Sequence, residues 1–108
     1  VDLGAELIDL ARIDHARAMV LLEALDAPRP LADQGRVVPI AALRLVALEH
    51  EPVDVAVWKN ADGVQHARLP PATAAVLRRA MTGATVAELG AAWPELRASG
   101  LVADVVAG

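Results

Sequence analysis

The chain has 108 residues, 56% of them hydrophobic and 22% charged, with a net charge of −4. That length suits one compact domain, so residues 1–108 are expected to fold round a single core. Cysteine is absent, which excludes a disulfide scaffold, thiolate-bound zinc, an iron–sulfur cluster and a thiol nucleophile.

No apolar run approaches the roughly 18–20 residues of a membrane span, and no basic start precedes an apolar stretch as in a signal peptide. The expected location is the cytoplasm. The chain opens on Val1 rather than methionine, as a processed product or a piece of something longer would. Residues 1–35 hold seven acids against three arginines, whereas 36–108 balance. With a pI near 5.2 an extended basic footprint is missing, and nucleic acid is disfavoured as a partner.

Residues 1–27 read as an N-terminal amphipathic helix. From Leu3 to about Leu25 the residues Leu7, Leu10, Ala11, Ala18, Leu21, Leu22 and Leu25 recur at three- and four-residue steps, the period of a helix that buries one stripe. Asp14 falls on the same stripe, so it should be buried beside an arginine or offered at an interface. Pro28 and Pro30 end the helix, and a connector runs to about Pro39.

Leu43–Glu49, Val53–Lys59 and Val64–Leu69 read as strands, the second alternating Val53, Val55 and Val57 with Asp54, Ala56 and Trp58. Asn60-Ala61-Asp62-Gly63 supplies hairpin chemistry between the second and third. On this reading Trp58 points away from the valines, packing under the first helix or standing on a recognition surface. It shares an outer face with Arg44, His66 and Arg68.

Pro71 opens a helix whose buried stripe is Val76, Leu77, Ala80 and Met81, and Gly83 stops it. Thr85-Val86-Ala87-Glu88 is a capping box that starts a second short helix. Pro94 opens a third, through Ser99 to Gly100. Leu101–Val106 suits a terminal strand or a helical extension. Residues 36–108 thus read as a winged-helix-like unit, a three-stranded antiparallel sheet followed by three short helices, in an α+β fold.

The only serine is Ser99, tyrosine is missing, and Thr85 already caps a helix. His15, His50 and His66 have no spacing that brings two imidazoles to one metal. Glu49-His50-Glu51 beside Pro52 reads as a solvated charge run at a turn rather than an acid–base cluster. No glycine-rich phosphate loop is present. The chain is therefore expected to be no enzyme, with no metal and no cofactor of its own.

LIDLARIDHARAMVLLEALDAP, then PIAALRL, then VDVAVWKNADGVQHARLPPATAAVLRRAMTGATVAEL resembles the carboxyl-terminal half of a bacterial family that carries a DNA-binding label. That family comprises accessory subunits of multinuclear non-heme iron-dependent oxidative enzymes of the methanobactin, bufferin and thiaglutamate pathways. The resemblance spans about residues 3–93. Its hairpin-plus-helix block is also similar to the peptide chaperone of pyrroloquinoline quinone synthesis and to the winged-helix tails of some cupin hydroxylases. Longer family members have a further helical domain ahead of the segment matching Leu3.

What the resemblance implies is a recognition element for ribosomally made peptides. It would form a heterodimer with an iron-dependent oxidase, iron residing in that partner, and capture the precursor peptide whose cysteines the oxidase modifies. Combined with the strand and helix positions, it points to a leader peptide adding beside Val64, His66 and Arg68, with Leu96 and Arg97 supplying specificity. Asp14, Arg17 and Trp58 would form the partner interface. The alternative is a winged-helix transcription regulator that reads DNA with 94–99 and holds phosphates with Arg78 and Arg79.

Overall fold

The computed structural model of the chain describes residues 3–25, 30–49 and 51–107; Pro28 and His50 lie outside these. The fold is α+β. Helix α1 (Leu3–Leu22) is followed by strands β1 (Arg36–Pro39), β2 (Leu43–Ala47), β3 (Asp54–Asn60) and β4 (Gly63–Leu69). Helices α2 (Pro71–Met81), α3 (Val86–Leu89) and α4 (Trp93–Ala98) come next, a 3-10 turn leading into the last, and strand β5 (Val102–Val106) closes the order. No described helix is long and apolar enough to cross a membrane.

The described residues form two compact units, one of 3–25 with 42–71, the other of 30–41 with 72–107. In the first, β2, β3 and β4 make an antiparallel meander, as the alternation of the three segments predicts. Asp62 N–H donates to Asn60 Oδ1 at 2.9 Å, and Gly63 takes a φ of +112° that closes the two-residue loop. Across the other turn Leu48 N–H reaches Val53 O at 3.0 Å.

Helix α1 lies against the sheet face that carries Val55 and Val57. Ala16, Val20, Ala42, Val55 and Val57 form the core, with Ile13, Val46, Leu48 and Val64 packed round it. Val20 and Val57 are fully buried, each stabilising by roughly 1.5–3 kcal/mol. The helix thus buries Asp9, Ala16 and Val20 and half-buries Ile13, and the stripe expected to face inward faces out: Leu7, Leu10, Leu21, Leu22 and Leu25 are all exposed. Both faces of α1 are apolar, so periodicity finds the helix without choosing its inner side. Sheet packing selects the slimmer Ala16 and Val20, which let the backbone approach.

In the second unit β1 pairs antiparallel with β5, Val37 opposite Val105, with a register shift between Val38 and Pro39. The segment expected as plain connector to Pro39 thus contains a strand, and the terminal segment takes its strand alternative. Buried positions here include Val37, Leu77, Leu89, Trp93, Leu96, Leu101 and Val105.

Helix α2 ends as its glycine predicts. Gly83 at φ +95° donates to Ala80 O at 3.2 Å while Ala84 N–H reaches back to Arg79 O at 3.0 Å, so the last carbonyls are satisfied. The capping box is complete: Thr85 Oγ1 accepts from Glu88 N–H at 3.1 Å, and Glu88 Oε1 from Thr85 N–H at 3.2 Å.

Candidate functional site

The meander has two outer strands, β2 and β4, and an outer strand presents alternate main-chain N–H and C=O groups away from the sheet. Which residues do so follows from the ladder. Lys59 N–H bonds Ala42 O, and Leu48 N–H bonds Val53 O, so Lys59, Val57, Val55 and Val53 turn their main-chain groups toward β2. Trp58 and Ala56 therefore bond toward β4, opposite Gln65 and Ala67. On β4 it follows that Val64, His66 and Arg68 direct their N–H and C=O groups outward. On β2 the outward residues are Leu43, Leu45 and Ala47.

The two edges differ in what covers these groups. At the two ends of β2 side chains fold back onto the main chain: Arg44 donates to Leu43 O at 2.8 Å, Arg12 to Ala47 O at 3.2 Å, and the Asp9 carboxylate accepts from Glu49 N–H, just past the strand, at 2.6 Å. A groove of about 660 Å³ runs between α1 and β2, lined by Ile8, Ala11, His15 and Met19 on one side and Leu45 and Val46 on the other. Along β4 no described residue bonds the outward groups of Val64, His66 or Arg68.

Side chains on β4 tie this edge to α1. Arg17 Nη1 lies 2.8 Å from His66 Nδ1; a guanidinium only donates, so in this contact Nδ1 is the acceptor. Arg68 forms an ion pair with Glu51. Val64 packs against the core and fixes the strand. Lys59 Nζ holds the end of α1 through Leu21 O at 3.0 Å and Glu23 O at 2.7 Å, complementing the carbonyl end of the helix.

Of the residues singled out in the sequence, Val64, His66 and Arg68 form one continuous edge, and Arg17 joins it through His66. Trp58 does not share a face with Arg44, His66 and Arg68. Arg44 and His66 both stand opposite Val57, and Arg68 opposite Val55, which puts them on the α1 side, whereas Trp58 alternates to the other. It therefore does not pack under α1.

Asp14 is exposed, and the buried acid of the helix is Asp9, 5% exposed. Asp9 lies on the Ile13–Ala16–Val20 side at helical spacing, the signal that would have found it. Leu96 and Arg97 belong to the other unit, Leu96 buried and Arg97 paired with Asp33 at 3.0 Å.

Comparison of the chain with protein-family models, with curated proteins and with solved structures returned no match.

Proposed function

We propose that this chain is a peptide-binding accessory subunit, winged-helix-like in design, that takes an extended leader peptide as an added strand along β4 and presents it to an iron-dependent oxidase in the cytoplasm. The observation that carries the reading is the difference between the two sheet edges. Open edges invite pairing with another chain, and proteins ordinarily blunt them. Here both ends of the β2 edge are blunted, at Leu43 by Arg44 and at Ala47 and Glu49 by Arg12 and Asp9, while β4 keeps three consecutive outward residues uncovered by described groups. Strand addition gains its affinity from such main-chain groups and its specificity from neighbouring side chains. His66, held by Arg17, and Arg68, beside Glu51, are placed to select charged or hydrogen-bonding residues of the peptide.

The oxidase and the origin of the peptide rest on the family resemblance; the edge rests on the register. The test is fluorescence polarisation with a labelled leader peptide of the cysteine-bearing precursor encoded beside the gene. His66→Pro removes one outward N–H and leaves the ladder to β3 intact, since His66 does not bond in it. Affinity should fall at least tenfold, the order expected for one main-chain hydrogen bond plus the obstruction of the ring. Unchanged affinity in a folded His66→Pro protein overturns strand addition at β4.

A further inference from the structure

The face of α1 turned away from the sheet has a spacing of its own. Leu7, Ala11, Asp14, Ala18 and Leu21 follow one another at steps of four, three, four and three, the seam spacing of a coiled coil. Leu10 and Leu22 flank the seam, and Leu25 continues it just past the helix end. These leucines are open: Leu22 is 83% exposed, Leu7 65%, Leu21 59%.

The seam is also symmetric about residue 16. Laid antiparallel against a copy of itself, it sets Ala11 level with Leu21, Asp14 with Ala18 and Leu7 with the non-helical stretch past Leu22 that holds Leu25. Two of these layers oppose a leucine or an aspartate to an alanine, the large-against-small filling that close helix pairs use. The same arrangement sets Arg17 of one copy level with His15 of the other, one residue from Asp14 and on the same side, so the charged seam residue has a cation near it. A polar seam position fixes register and orientation at some cost in stability.

We infer that the outward face of α1 is the two-fold interface of a homodimer, the helices packing antiparallel about residue 16. The apolar surface suits it: Leu7, Leu21 and Leu22 are more than half exposed, and with Leu10 they give this face the apolar area from which an interface of about 800 Å² per partner is built. A two-fold contact requires one patch that complements itself, and this seam does so. The inference does not rest on the peptide reading: the seam uses side chains of the α1 face turned from the sheet, the peptide edge uses main-chain groups of β4, and each can fail alone.

The absence of cysteine makes the test direct. Ala11→Cys and Leu21→Cys, introduced together, place thiols in the same layer of the antiparallel pair, within disulfide reach across the interface and about 15 Å apart within one helix. Mild oxidation should then give a covalent dimer of twice 11.3 kDa from the double variant and only background from either single variant. Sedimentation equilibrium of the unmodified chain should show association at micromolar concentrations, weakened at least tenfold by Leu21→Glu; Leu21 is exposed, so the fold survives the change.

A chain that stays monomeric at hundreds of micromolar overturns the proposal, as does cross-linking by Ala11→Cys alone, which reports parallel helices. A one-to-one complex with the oxidase that protects the α1 leucines from exchange overturns it in favour of a different partner.

Discussion

Asp9 is the residue on which the packing of α1 turns. A carboxylate 5% exposed on the inner side of a helix is costly unless donors meet it, and the Glu49 N–H at 2.6 Å is one such donor. The same contact stops the β2 edge, so one side chain orients the helix and closes the strand. Asp9→Ala should destabilise the chain by about 1–2 kcal/mol, leaving a main-chain donor without its charged acceptor, whereas Asp14→Ala in dilute solution should change stability by less than about 0.5 kcal/mol. Urea midpoints of the two variants check this, and equal losses would contradict the assignment of the inner face.

At the scale of elements, most of the secondary structure was legible because local chemistry dictates it. Pro71 starts α2, Gly83 ends it, Thr85 and Glu88 box the start of α3, and Asn60 to Gly63 turn the hairpin; each signal acts within four residues. Strand β1 was not legible. Arg-Val-Val-Pro has no room for alternation, and its partner β5 lies 70 residues away, Arg36 opposite Val106. The facing of α1 was missed for another reason, that two apolar sides compete and only the sheet decides. The β4 edge was readable in advance as alternating residues, but the blunting of β2 depends on Arg12, Arg44 and Asp9 reaching across the chain, which no local pattern encodes.

Gly35 marks where β1 begins. Its φ of +129° and a Cβ position that would collide with the Val106 carbonyl oxygen admit no side chain. Gly35→Ala should therefore cost roughly 1–3 kcal/mol for the backbone conformation alone, with the loss of amide protection centred on Val37 and Val105 rather than on β3.

For the whole molecule, the order of the chain matters more than its composition. The first unit interrupts the second: 42–71 lie between the segments that supply β1 and β5. A chain ending at Gly100 retains every residue of α1 and the meander but loses the partner of β1. Hydrogen exchange should then show Val55 and Val57 still protected and Val37 exposed; simultaneous loss of both would mean that the units do not fold separately.

The pairing of Arg36 with Val106 also sets a clock. During synthesis β1 leaves the ribosome long before β5 exists, and at about 5–20 residues per second the wait is roughly 4–14 s. A hairpin closes in microseconds, so β2, β3 and β4 can assemble within that interval. Val37 and Val38 spend it as an unpaired strand, and the rate of translation, rather than the stability of the finished fold, governs how long the nascent chain is open to chaperones or to misassembly.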